Sequence, residues 1–254
     1  MSVEKLLAFV KSDVGLTRKN NEDYASFLIP SEEGKFEKYG SIFVVADGVG
    51  GSAFGEVAST LAVQTIINSY YSLPCEIMVQ DKLKKSFDMA NSELIKRAGE
   101  LRVREISSTA VCSVIIKDNA YIANVGDSRA YLINQGRKSK IDQITSDHSL
   151  VAEQVKIGLL TEGEAKKAPN KNIITRAVGA ESQVEIDLFE VNLINGDKLL
   201  LCSDGLVRVV DNNEIFTITE SNPIENAIPK LISLANSRGG PDNITICLVS
   251  FEKT

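Results

Sequence analysis

The sequence predicts an α+β protein, a layered sandwich with antiparallel sheets inside and amphipathic helices outside. Three observations carry this. Short strands follow one another through connections too brief for parallel crossovers, so they pair antiparallel. Phe43–Ala46, Val111–Ile116 and Leu199–Cys202 are nearly continuous apolar runs, as expected of strands covered on both faces. Long stretches with apolar residues three and four apart supply the covering helices.

In chain order, Tyr24–Ile29 and Ile42–Ala46 read as strands joined by a polar loop containing Ser31–Gly34. Gly55–Tyr71 carries Val57, Ala58, Leu61, Ala62, Thr65, Ile66 and Tyr70 at helical spacing. A second helix, Glu76 to about Arg97, is expected to bury Ile77, Leu83, Phe87, Ala90, Leu94 and Ile95. Strands follow at Thr109–Ile116, Ala120–Asn124 and Arg129–Ile133, separated by turn residues such as Asp118-Asn119 and followed by Gln135-Gly136. Ser146–Val178 has weak periodicity, many charges and Pro169, and is expected to form a mobile helical insertion over the surface. Val184–Val191, the Asn195-Gly196 turn and Lys198–Cys202 predict a hairpin. Pro223–Arg238 is a further amphipathic helix and Asn243–Phe251 a terminal strand. No repeat, low-complexity tract or long linker divides the 254 residues.

Composition narrows the function. With 43% hydrophobic and 24% charged residues the chain has enough apolar surface to fold. The 28 basic and 34 acidic side chains leave a net charge of −6, which disfavours general nucleic-acid binding. No apolar run approaches the ~18 residues of a membrane span. The stretch Leu6–Val10 is too short for a signal peptide. Cys75, Cys112, Cys202 and Cys247 lie far apart, with neither CxxC pairing nor zinc spacing, and read as reduced thiols of a cytoplasmic protein.

Two glycine-rich segments are decoys. Gly48-Val49-Gly50-Gly51-Ser52-Ala53 fits a dinucleotide fingerprint, but Asp47 would face the pyrophosphate and no acid-tipped second strand follows. Gly158–Gly163 has phosphate-loop spacing, but Glu164 stands where a lysine is needed.

Asp47-Gly48 reads better as a pair of metal ligands, a carboxylate at a strand end beside a carbonyl that a glycine lets approach. Asp127, Asp204 and Asp242 also lie at the tips of apolar strands. Any one alone is more often a solvated turn or cap. Converging, they would repel unless cations neutralised them. With one histidine and no paired cysteines, an all-oxygen site suits magnesium or manganese. Arg18, near Glu22 and Asp23, is in isolation a surface ion pair; beside a dimetal site its guanidinium suits a phosphoryl group.

Seven segments then carry a resemblance across essentially the whole chain: Asp13–Asp23 (DVGLTRKNNED), Val45–Gly51 (VADGVGG), Asn124–Arg129 (NVGDSR), Thr145–Val151 (TSDHSLV), Ile174–Gly179 (ITRAVG), Leu200–Leu206 (LLCSDGL) and Gly239–Thr245 (GGPDNIT). The sequence resembles the metal-dependent serine/threonine protein phosphatases of the protein phosphatase 2C (PPM) family, bacterial type. The resemblance implies one phosphatase domain over residues 1–254, a four-layer α-β-β-α sandwich with a flap insertion at about 146–177. It implies two Mn²⁺ or Mg²⁺ ions, Asp47 bridging them, the Gly48 carbonyl on one, and Asp204 and Asp242 completing the other. Asp127 with Asp204 matches a third, weaker metal position. Glu22 and Asp23 would orient metal-bound waters, Asn243 would support Asp242, and Arg18 would hold the substrate phosphate. A dimetal-bound water or hydroxide would attack phosphoserine or phosphothreonine directly.

One departure stands out. Some family members carry a histidine directly after Asp-Gly as general acid; here that position is Val49. The only histidine, His148, lies in the DHSL motif and suits a structural role. A metal-bound water, on the third ion near Asp127, is the first candidate donor. The implied partners are phosphoproteins made by a serine/threonine kinase, with no nucleic acid and no membrane, and the implied state is a cytoplasmic monomer. The rival readings are a catalytically silent phosphoprotein-binding or partner-switching module and a small-molecule phosphatase of the same fold.

Overall fold

The computed structural model describes residues 4–49, 54–165 and 167–253. Residues 50–53, the remainder of the dinucleotide-like decoy, lie outside them. In chain order the elements are β1 (Glu4–Asp13), β2 (Asp23–Leu28), α1 (Glu33–Tyr39), β3 (Ser41–Asp47), α2 (Gly55–Ser72) and α3 (Val79–Leu101). Then come β4 (Ala110–Ile116), β5 (Asn119–Val125), β6 (Arg129–Ile133), β7 (Ile141–Gln143), α4 (Leu150–Lys156) and α5 (Glu162–Ala165). The chain continues through β8 (Asp187–Asn192), β9 (Lys198–Cys202), α6 (Asp204–Val207), α7 (Asn212–Glu220), α8 (Ile224–Ser237) and β10 (Ile244–Lys253).

The strands form two antiparallel sheets, ordered β1-β10-β9-β6-β7 and β2-β3-β4-β5-β8. Their inner faces make one core, where Phe43, Val45, Val111 and Ile122 meet Leu132, Leu199, Leu201 and Val249. On the outer face of the second sheet, Ile42, Val44, Cys112 and Val114 pack against Ala62, Ile66, Phe87 and Leu94 of α2 and α3. On the outer face of the first, Leu200, Ile246 and Leu248 pack against Ile228, Leu231 and Ile232 of α8. Residues 42–46 of β3 therefore send alternate side chains into two different cores, which is why the run is apolar without interruption. Fully burying each such aliphatic side chain contributes about 1.5–3 kcal/mol. Among the described residues no helix is long and apolar enough to cross a membrane.

The expected antiparallel sandwich is present, with four local corrections. The segment read as a polar loop after β2 contains α1, whose Tyr39 packs on the α2–α3 core. Ile77 precedes α3, which begins at Val79, and Ile95 lies on its exposed face at 40% exposure, so neither joins the buried stripe. The predicted hairpin does not form: β8 pairs with β5 in one sheet and β9 with β6 and β10 in the other. The Asn195-Gly196 turn carries the chain between sheets, and its Gly196 N–H donates to the Phe251 carbonyl of β10 at 3.0 Å. The edge strands β1 and β7 and the helices α6 and α7 had no prediction. The 146–178 stretch carries α4 and α5, as expected of a helical insertion.

Candidate metal and phosphate site

One end of the sandwich gathers the carboxylates. Asp47 ends β3 and lies opposite Asp23, the first residue of β2. On the facing sheet, β9 runs through Ser203 into Asp204 at the start of α6, and Asp242 precedes β10. Asp127 sits on the loop by which the chain leaves β5 for β6 in the other sheet. Ser203 Oγ donates to Asp23 Oδ2 at 2.6 Å and so ties the two sheets together at the site. Asp23, Asp127, Asp204 and Asp242 are buried, and Asp47 keeps an accessible edge.

Two glycines permit this crowding. A Cβ on Gly205 would stand 2.0 Å from the Asn243 carbonyl oxygen, and one on Gly48 2.4 Å from the Gly55 carbonyl oxygen. The first brings α6 against the start of β10; the second brings the end of β3 against the first turn of α2.

The electrostatics follow from burial of like charges. Asp47 is pushed well above the ordinary carboxylate range, first by burial and then by Asp23, Asp204, Asp127 and Asp242. Burial raises Asp23 to about 7 against the opposing hydrogen bond from Ser203, and Asp127 to about 8 with repulsion from Asp204 adding. Asp204 is raised by burial, which Arg208 opposes. Glu22 is also raised by burial, with Arg18 opposing.

Guanidinium groups answer part of this charge. Arg18 Nε donates to Asp242 Oδ1 at 2.9 Å and its Nη2 to Oδ2 at 3.0 Å. Arg208 Nη1 donates to Asp242 Oδ2 at 2.7 Å, and its Nη2 pairs with Asp204 Oδ2. With Asp204 and Asp242 turned onto these arginines, no three described carboxylate, imidazole or thiol side chains stand ready to hold an ion. Yet Asp23 Oδ1, Asp127 Oδ1 and Asp204 Oδ1 are buried and lack any hydrogen-bond donor. Leaving such atoms unsatisfied costs several kcal/mol, on the order of 1–3 per group or more when charged. Donor-less carboxylate oxygens converging from both sheets fit hard divalent cations.

All the metal-site aspartates expected from the sequence are brought together here, with Glu22, Asp23 and Arg18. Asn243 does more than expected. Its backbone N–H donates to Asp242 Oδ1 at 3.0 Å, while its side chain donates to the Val14 and Asn20 carbonyls at 2.9 and 3.0 Å and accepts from Glu22 N at 2.8 Å. It therefore fixes the loop that presents Arg18. His148 Nδ1 accepts from Gly126 N at 3.0 Å and its Nε2 lies 3.2 Å from Asp187, a bracing arrangement beside the Asp127 loop. Sequence reasoning missed Thr109, which accepts from Asp47 N at 3.1 Å and reaches Ser128 Oγ at 2.8 Å. It also missed Arg208, although four-residue spacing after Asp204 on a helix is a readable signal.

Comparison with known proteins finds clear relatives. The family model described as "Protein phosphatase 2C" matches residues 9–154, more than half of the chain. The serine/threonine phosphatase stp of Listeria monocytogenes serovar 1/2a is 36% identical over 251 residues, covering 96% of this chain and 95% of that protein. The protein phosphatase PhpP of Streptococcus pneumoniae serotype 2 is 35% identical, covering 95% of this chain and 96% of its own length. The crystal structure of the catalytic domain of the serine/threonine protein phosphatase PstP, in complex with two manganese ions, superposes with a TM-score of 0.83 at 29% identity, covering 98% of this chain and 100% of that one.

Proposed function

The chain belongs to the protein phosphatase 2C family, and from that premise we propose how its residues hydrolyse phosphoserine and phosphothreonine. It is a divalent-metal-dependent protein serine/threonine phosphatase acting on phosphoproteins. Asp47, the Gly48 carbonyl, Asp204 and Asp242 would hold two divalent cations, Mn²⁺ or Mg²⁺. Such a pair supplies Lewis acidity toward the phosphoryl oxygens and activates water for in-line attack. A third position of positive charge falls between Asp127 and Asp204. The observation that carries this reading is the set of buried, donor-less oxygens on Asp23, Asp127 and Asp204.

The remaining work belongs to the side chains. Arg18, 44% exposed, exchanges Asp242 for two equatorial oxygens of the substrate phosphate, a planar match that also offsets developing charge. Glu22 and Asp23 accept hydrogen bonds from the water at the site, with Asp23 held in place by Ser203. Asp127 orders the water that protonates the departing serine or threonine oxygen, a need that Val49 cannot meet. The substrates are proteins phosphorylated by a serine/threonine kinase. The whole chain, 1–254, works as one domain with its flap at about 146–177, as a cytoplasmic monomer without nucleic acid or membrane.

The test compares turnover of a phosphothreonine peptide and of phosphorylated metabolites, each with chelator and with added Mn²⁺. The reading expects metal-dependent turnover that favours the peptide. Preference for metabolites would make this a small-molecule phosphatase, and no turnover with Mn²⁺ would leave a silent binding module.

A further inference from the structure

Arg208 stands one helical turn beyond Asp204, at the C-terminal cap of α6. Its two terminal nitrogens take one oxygen each from Asp204 and Asp242, in both cases Oδ2. Its charge also acts against the raised pKa of Asp127. The guanidinium thus lies on the side of the site shared by Asp127, Asp204 and Asp242. Its side chain is 24% exposed, whereas that of Arg18 is 44% exposed and its hydrogen bonds within the site go to Asp242 alone.

Resting on the two-ion reading above, we propose that Arg208 is a tethered cation that takes the place of a third divalent ion between Asp127, Asp204 and Asp242. Charge supports the assignment. The carboxylates of Asp23, Asp47, Asp127, Asp204 and Asp242 are balanced by two divalent ions and one guanidinium, which leaves Arg18 to meet the substrate phosphate. Geometry supports it too. Arg208 uses only the Oδ2 atoms, so Asp204 Oδ1, which has no donor, remains for an ion. A guanidinium is charged at every working pH and hydrogen-bonds in a fixed plane. On a short tether it fills its place at any metal concentration, whereas a weak ion would come and go. Arg208 is therefore a positioning residue for Asp204 and Asp242, and it sets the number of metal ions.

The experiment is calorimetric titration of the chelator-stripped full chain with Mn²⁺, for the wild type, Arg208→Gln and Arg208→Lys, with bound Mn²⁺ counted independently by elemental analysis. Two equivalents are expected for the wild type and three for Arg208→Gln. Arg208→Lys keeps the charge and should return to two. Three equivalents bound by the wild type would overturn the proposal, and that arm decides even where Arg208→Gln fails to fold. So would two equivalents for both wild type and Arg208→Gln. Failure of the wild type to bind Mn²⁺ would overturn the two-ion reading itself.

Discussion

Arg18 and Asp242 hold each other through two hydrogen bonds of 2.9 and 3.0 Å, and in the proposed roles each must let go of the other. This makes their substitutions diagnostic in different ways. Arg18→Ala removes a charge-assisted contact to substrate of about 1.5–3 kcal/mol, and kcat/KM should fall roughly 10–150-fold. Mn²⁺ affinity should not weaken, because Asp242 loses a competitor; a collapse of metal binding would make Arg18 structural. Asp242→Asn keeps shape but removes a ligand charge, and activity should fall at least ~100-fold with weakened Mn²⁺ binding. Near-normal turnover would refute that ligand. Asp127→Ala should hurt phosphoserine peptides more than aryl phosphates, since a phenolate leaves without full protonation. Equal losses of kcat/KM on both substrates would remove the proton-supply role.

At the scale of elements, the site depends on how closely α6 approaches β10. The Gly205 Cα is packed so tightly that an added methyl would overlap the Asn243 carbonyl oxygen at 2.0 Å. Gly205→Ala must therefore push α6, with Asp204 and Arg208, away from Asp242 and Asn243. A loss of about 1–3 kcal/mol in stability is expected, measurable in urea, together with weakened Mn²⁺ binding. Unchanged stability and binding would mean that α6 adjusts without disturbing the site. These contacts explain what was readable beforehand. The aspartates were legible because each ends an apolar strand, and a strand end is visible in sequence. Strands covered on both faces were legible for the same reason. Which sheet a strand joins was not, since β8 and β9 are consecutive and share a good turn, yet the Gly196 contact to Phe251 sends them to different sheets. Edge strand β1, with Lys5, Leu7 and Lys11 exposed, carried too little periodicity to be recognised. The capping box of α7, Asp211 with Glu214, was a local signal that went unread. Arg208 was harder to read because one of its two partners, Asp242, comes from a distant part of the chain.

For the molecule as a whole, the joining of two sheets at a cluster of carboxylates makes stability depend on pH and metal together. Burial raises Asp23 to about 7 and Asp127 to about 8, against about 3.9 in an unfolded chain. The folded state thus holds protons that the unfolded chain releases. Its stabilisation by these protons is full below about pH 4 and is lost as pH rises through 7 and 8. In chelator, the Tm should fall between pH 6 and 8.5, and Asp127→Asn should flatten the fall. Added Mn²⁺ should raise the Tm most at the alkaline end, where ions replace departed protons. A Tm in chelator that rises across this range would contradict the electrostatic picture.

In the mechanism proposed, carboxylates drawn from both sheets hold the divalent ions on which phosphate hydrolysis depends. Hydrolysis of a phosphothreonine peptide by the purified chain, stripped with chelator and then titrated with Mn²⁺, tests it most directly. Turnover should be absent after stripping and should return in step with the binding of Mn²⁺. Undiminished hydrolysis by protein shown to be free of metal would contradict the account.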